Sequence, residues 1–308
     1  MATIKVQQNN IGSRIDKFLA QEFFSLSRGE IIRNIKEGKI LINKTAVKPS
    51  YKLKENDEIE SNIKFERKEV FPNDEIKLNI IYSDDNIIVV NKNPGIQIHP
   101  DNNERKNTLA NALIAKFPEI KDVHDESLGA FLRPGIVHRL DKDTSGVVVI
   151  ARNQEAFDEL KAMFQERKIH KKYVALVYGQ LKDKKGIITK AIARSTSYKK
   201  QSIAGAKTKT KVRGAVTEYK QLKKFDNYSL VEARPLTGRM HQIRIHFFSI
   251  NHPVVGDKLY KIKSIKPNPL AKRQLLHAKE IDFTLFGQKF RFSAPLPEDF
   301  NVFLKNIQ

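Results

Sequence analysis

The sequence predicts an α+β protein: a mainly antiparallel, mixed-sheet domain preceded by a small α/β module. Three observations predict it. Strand-like runs outnumber helical ones, and several are joined by short turns. Residues 1–60 carry their own helix pair and short strands. Residues 61–76, charged and interrupted by Pro72 and Asn73, read as a linker to a larger domain at 77–308.

The elements follow in order. Ile15, Phe18, Leu19 and Phe23 recur at helical spacing. Ser27-Arg28-Gly29-Glu30 forms a capping box that opens a second helix with Ile31, Ile32 and Ile35, and Gly38 is placed to end it. Short strands are expected at 39–43, 46–47 and 57–59. Beyond the linker, strands at 78–82 and 87–90 flank the turn Asp84-Asp85-Asn86. Leu109, Ala110, Leu113, Ile114 and Phe117 mark a helix, and 121–134 reads mostly as loop. Asn153 caps a helix carrying Phe157, Leu160, Met163 and Phe164. Further strands are expected at 173–178, 186–193, 215–222, 228–232 and 289–292. Between Arg194 and Arg213 there are seven Lys or Arg and no acid, and Tyr198 lies within the stretch. It lacks periodicity and reads as a long mobile loop suited to phosphate contacts.

Composition narrows the function. The 308 residues leave room for a small domain and a larger one. Lys and Arg number 56 against 35 acids, a net charge of +21, which calls for a polyanionic partner and above all nucleic acid. Cysteine is absent, which excludes disulfides, zinc ribbons and thiolate catalysis. No apolar run approaches the roughly 18 residues that span a bilayer. The amino terminus lacks a signal-peptide core. A soluble, cytoplasmic protein without a membrane partner is expected.

The most informative stretch is His138-Arg139-Leu140-Asp141-Lys142-Asp143-Thr144-Ser145-Gly146, set between the apolar runs Gly135-Ile136-Val137 and Val147-Val148-Val149-Ile150. A turn between two strand-like runs can hold one carboxylate at the rim of a sheet, with an arginine two residues away. A kinase catalytic loop does not fit: Leu and Asp are exchanged, and Gly146 stands where that loop has Asn. Zinc hydrolysis does not fit either, since His241 and His246 are five apart rather than four. Asp141 and Asp143 lack the further nearby carboxylates of a hard-cation site.

Two resemblances organise these residues. Arg14-Ile15-Asp16-Lys17-Phe18-Leu19, Ser27-Arg28, Ile35, Gly38 and Leu41-Ile42-Asn43 resemble the compact RNA-binding domain named after ribosomal protein S4, over residues 12–60. That resemblance makes Arg28, Arg33 and Lys36 candidate RNA contacts. The nine residues at 138–146 resemble the RluA family of pseudouridine synthases. So do Asn91-Lys92-Asn93-Pro94-Gly95, with its proline shifted by one, and Lys172-Tyr173 ahead of Ala175-Leu176-Val177-Tyr178-Gly179. The run from Pro235 to His246 looks like the family's arginine motif, with Met240 where Thr is common. His252-Pro253-Val254-Val255-Gly256-Asp257 and Leu276-His277-Ala278 complete the pattern across roughly 78–300. With the amino-terminal module, the chain looks most similar to the family's RluD and RluC branches.

The resemblance implies an isomerase that detaches uracil from ribose at N1 and rejoins it through C5, with no redox change and so no cofactor. It implies Asp141 as the catalytic aspartate, acting on sugar, on base or as a base toward a ribose proton. It implies Arg244 as that aspartate's partner and Tyr173 as the active-site tyrosine, stacking on uracil or assisting proton removal at C5. Arg139 matches the residue that fills the stack vacated by the flipped uridine. His138 is expected to fix the turn by hydrogen bonding, within a substrate-binding set that includes Arg239 and His241 as phosphate contacts. Large-subunit ribosomal RNA is the expected substrate, and a monomer the expected state. A tRNA substrate and a non-catalytic ribosome-assembly role are the alternatives.

Overall fold

The structure, a computed structural model, describes residues 2–23, 26–63, 69–127, 129–195, 200–206 and 208–307. The chain divides into two compact units, Met1–Lys77 with His99–Ile136, and Leu78–Ile98 with Val137–Gln308.

In the first unit, helices α1 (Ile15–Glu22) and α2 (Arg28–Lys36) lie between the first and second strands of a four-stranded sheet in the order β1-β4-β2-β3. Its strands are β1 (Ala2–Lys5), β2 (Ile40–Ile42), β3 (Thr45–Ala46) and β4 (Glu58–Ser61). The capping box forms as read, with Ser27 Oγ accepting the Glu30 N–H and the Glu30 carboxylate accepting the Ser27 N–H. Gly38 takes a φ of 69°, a left-handed conformation that ends the helix at no steric cost. Ile15, Leu19, Ile31, Ile35, Ile40, Leu53 and Ile59 form one buried cluster, so this module has its own core. Strand β1 lies outside the expected set; it pairs antiparallel with β4. The same unit holds α3 (Leu109–Lys116), opened by Thr108 and Asn111. Asn111 Nδ2 donates to the Phe71 carbonyl, and Asn73 N–H donates to the Asn111 carbonyl, so 71–73 run along this helix.

The second unit is built on a nine-stranded sheet in the order β5-β6-β7-β15-β8-β14-β13-β9, with β16 paired to β15. The strands are β5 (Ile80–Ser83), β6 (Ile87–Lys92), β7 (Ser145–Ala151), β8 (His170–Tyr178), β9 (Lys185–Ile188), β13 (Thr217–Lys224), β14 (Tyr228–Pro235), β15 (Leu276–Leu285) and β16 (Gln288–Ser293). Every pair is antiparallel except β7 with β15. The mainly antiparallel mixed sheet is as expected. Helix α4 (Gln154–Glu166) begins where Asn153 Oδ1 accepts the Ala156 N–H. Helix α5 (Gln242–Ser249) sets Ile243 and Phe247 into a core with Ala175, Val177, Val231 and Ala233. Helix α6 (Glu298–Asn306) sets Phe300 and Phe303 against Val174 and Leu176, neighbours of alternate parity in β8. Alternation along β8 thus sends one set to each helix.

Two expectations need correction. The single strand at 186–193 is two: it breaks after Ile188, and the chain resumes as β10 (Ile192–Arg194) in a separate sheet. The basic stretch expected as one loop contains strands β11 (Gln201–Ile203) and β12 (Val212–Arg213), which flank β10 in a three-stranded antiparallel sheet. Backbone pairing with β10 supplies the order that side-chain periodicity did not announce. Tyr198, singled out in this stretch, lies outside the described residues.

Candidate active site

Asp141 sits on the turn that enters β7, and three layers of backbone chemistry hold that turn. Its own carbonyl accepts the Thr144 N–H. The next carbonyl, Lys142, accepts both the Gly95 N–H and the Lys92 ammonium, at 3.0 and 2.9 Å. Lys92 is buried at the end of β6 and also donates to the carbonyls of Asn93 and Ile96, at 2.8 Å each. Burial pulls its pKa down to about 7, against the opposing pull of the Asp143 and Asp141 carboxylates. The third carbonyl, Asp143, accepts Nη1 of Arg273, whose Nε and Nη2 grip Asp299. Ser145 Oγ lies 2.9 Å from His277 Nδ1, and Gly146, at a φ of 118°, sits where a Cβ would meet the Ala278 carbonyl of β15.

His138 anchors the start of this turn. Its Nε2 accepts the Val149 N–H at 2.9 Å, and its ring stacks on Phe164 with centroids 4.7 Å apart. Burial, followed by the Lys171 charge, lowers its pKa to about 3, so it is neutral at physiological pH. Arg139 points to the exposed side of the turn.

The Asp141 carboxylate meets Arg244, which α5 delivers from 103 residues away. Nη1 of Arg244 donates to Asp141 Oδ2 at 2.8 Å; Nε and Nη2 donate to the two oxygens of Asp257 at 2.6 and 2.9 Å. The Asp257 side chain is fully buried, Arg244 is 5% exposed, and Asp141 is 20% exposed. Charge therefore grades outward: a buried carboxylate fixes the guanidinium, and the guanidinium presents the outer carboxylate. Burial alone would lower the Arg244 pKa, but the hydrogen bonds and charge of Asp257, with the charge of Asp141, outweigh it and raise it. Gly256 makes room for this arrangement. A Cβ there would fall 1.9 Å from the Arg273 carbonyl oxygen, at a φ of 77°.

His241 is the second group beside Asp141, with Nε2 3.8 Å from Oδ1. Its ring turns inward, Nδ1 lying 3.0 Å from the Tyr260 hydroxyl, rather than outward as a phosphate contact. Burial lowers its pKa, with the Asp141 charge opposing. Gln242 knots the approach to α5, accepting from Thr237 Oγ and the Arg239 N–H while donating to Val216 and Thr217. Arg239 is half-buried, its Nε donating to the Gly214 carbonyl at 3.2 Å.

Tyr173 lies in β8, opposite Ala233 on one side and Ala278 on the other. Both register partners are small, and the ring is partly buried against the core that holds Ala175 and Val231. Burial and then the Asp141 charge raise its pKa, so the phenol keeps its proton. Its hydroxyl makes no hydrogen bond among the described residues.

In the first unit, Arg28 places Nε and Nη2 on Asp16 Oδ2, at 3.0 and 2.7 Å, and Arg14 shares that fully buried carboxylate. Two of Arg28's donors are thereby spent inside the module. Arg33 and Lys36 are exposed on α2.

Sequence reasoning grouped Asp141, Tyr173 and Arg244; in the structure Arg244 bonds Asp141, and the Asp141 charge reaches Tyr173. It gave no role to Lys92, Arg273, Asp257 or Tyr260. One signal was available: a lysine closing the apolar run Ile87-Ile88-Val89-Val90-Asn91 must be met by acceptors if buried.

A carboxylate presented by a buried arginine at a sheet rim, in a chain of this positive charge, suits chemistry on a polyanion. The comparisons with known proteins give that polyanion as RNA. The family described as RNA pseudouridylate synthase matches residues 86–249, and the S4 domain matches 13–59. The chain belongs to the RNA pseudouridine synthase family, whose members isomerise uridine in RNA. It is 43% identical to an uncharacterized RNA pseudouridine synthase of Aquifex aeolicus over 255 residues, covering 82% of this chain and 78% of that one. It is 33% identical to ribosomal large subunit pseudouridine synthase D of Xanthomonas campestris, covering 96% and 88%. In structure it resembles human RNA pseudouridylate synthase domain containing 1, with a TM-score of 0.58 at 25% identity, covering 75% of this chain and 94% of that one.

Proposed function

We propose that this enzyme converts uridine to pseudouridine in large-subunit ribosomal RNA, with Asp141 as the catalytic group. The observation that carries the reading is Arg244, which donates to Asp141 Oδ2 at 2.8 Å while Asp257 holds the rest of its guanidinium and Asp141 keeps 20% exposure. The likeness over almost the whole chain to a ribosomal large subunit pseudouridine synthase D supports the substrate. In the reaction the C1′–N1 bond breaks and C1′ bonds to C5. The C5 proton leaves, and N1 takes up a proton, so nothing is oxidised. An ionised carboxylate starts the cleavage, either by attack or by taking a ribose proton.

Tyr173 supplies the stacking face for uracil. Its raised pKa makes it a neutral ring and a hydrogen-bond donor rather than an ionised base. Arg139, exposed two residues before Asp141, fills the space the flipped uridine leaves. Arg239 lies where phosphate passes, and Arg33 and Lys36 extend RNA contact over the amino-terminal module. On this reading residues 1–60 bind RNA, 77–308 carry the chemistry, and a monomer in the cytoplasm suffices. No described helix is long and apolar enough to cross a membrane.

Carbodiimide mapping of total RNA from cells with and without the gene tests the substrate. Loss of one or more pseudouridines from large-subunit ribosomal RNA is expected. Loss confined to transfer RNA would overturn the assignment.

A further inference from the structure

The arginine side of Asp141 is explained by Asp257. The histidine side needs an account of its own, and Tyr260 provides it. This buried residue contacts Asp257, Arg244 and His241, the groups gathered around the Asp141 carboxylate, and also Gln201. Its backbone N–H donates to Asp257 Oδ1, the oxygen that also holds Arg244 Nη2. Its ring lies 5.3 Å from the Arg244 guanidinium carbon. Its hydroxyl accepts the Gln201 N–H at 2.7 Å and lies 3.0 Å from His241 Nδ1.

The proton count fixes the direction of that last bond. The Gln201 N–H can only donate, so it occupies a lone pair of the Tyr260 oxygen. The hydroxyl proton then needs an acceptor, and among the described residues the partner in reach is His241 Nδ1. Nδ1 is therefore bare, and the neutral ring carries its proton on Nε2, the nitrogen 3.8 Å from Asp141 Oδ1. The opposite tautomer would leave the hydroxyl proton without an acceptor and aim a lone pair at a carboxylate.

We infer that Tyr260 is a positioning residue: its hydroxyl holds His241 as the Nε2–H tautomer facing Asp141. Gln201 opens β11, so the small basic sheet is what clamps the hydroxyl. The sheet, Tyr260, His241 and Asp141 form one chain of contacts. A uridine entering the site meets Asp141 with Oδ2 held by arginine and Oδ1 faced, at 3.8 Å, by the His241 N–H. The inference rests on Asp141 carrying the reaction.

Two measurements on the full-length protein test it. Two-bond 15N–1H spectra of the imidazoles read the tautomer of His241, assigned by its loss in His241→Gln. The Nε2–H form is expected in the wild type and a mixed population in Tyr260→Phe; an Nδ1–H wild type overturns the inference whether or not the variant folds. Steady-state kinetics on large-subunit ribosomal RNA are expected to show kcat down about ten-fold in Tyr260→Phe, with KM within about two-fold. His241→Gln should fall similarly, and the double variant no further. Additive losses, or a wild-type kcat in Tyr260→Phe, overturn it. Full activity of Asp141→Ala would instead sink the catalytic reading, and the tautomer result would stand apart from that.

Discussion

At the scale of single residues, the site is an exercise in grading charge. Asp257 has no solvent, and its two oxygens face Arg244 Nε and Nη2 with the N–H groups of Leu259 and Tyr260. Arg244 therefore cannot swing, and Asp141 inherits that rigidity through one short bond. Replacing Arg244 by alanine leaves a buried carboxylate without its cation. We expect a loss of stability on the order of 3 kcal/mol by denaturant titration. Arg244→Lys keeps a charge but not the fork, and activity should fall on the order of 100-fold. An Arg244→Lys enzyme of wild-type activity would show that the bidentate geometry is unnecessary. Lys92 and Arg273 do comparable work on the backbone of the same turn, through the carbonyls of Lys142 and Asp143. Their role was hidden in the sequence because they act on carbonyls, which carry no residue identity.

At the scale of elements, the turn at 138–146 is fixed by the parallel pair β7–β15 that follows it. A Cβ on Gly146 would lie 2.2 Å from the Ala278 carbonyl oxygen, at a φ that L side chains rarely adopt. Gly146→Ala should cost more than about 3 kcal/mol and lower the melting temperature several degrees. A variant melting with the wild type would mean that β15 has room to move. Much of this element scale was legible. The capping box at Ser27, the Asn153 cap and most strands were read from pattern and turn chemistry alone. The failures have physical reasons. Helix α5 was not read because Gln242-Ile243-Arg244-Ile245-His246-Phe247 alternates polar and apolar like a strand, all six being buried. Its polar residues are satisfied by partners distant in sequence, as His246 is by Thr217 and the Lys190 carbonyl. The break between β9 and β10 and the folding of the basic stretch depend on pairing with other strands, which no local window contains.

At the scale of the whole molecule, a net charge of +21 accompanies an amino-terminal S4 module with its own core. Arg33 and Lys36 are exposed on α2, far from Asp141 in sequence and in a different compact unit. The Arg33→Ala, Lys36→Ala double variant should raise KM about ten-fold at moderate salt and leave kcat unchanged. The slope of log affinity against log salt should shrink by about two. An unchanged slope would remove the amino-terminal module from the RNA path. The central claim, that Asp141 carries the isomerisation, is tested most directly by tritium release from large-subunit ribosomal RNA labelled at uridine C5, because that proton is lost only when C5 bonds to ribose. The wild type should release tritium in proportion to the uridines converted, and Asp141→Ala should release none while binding the same RNA. Equal release from both proteins would contradict the account.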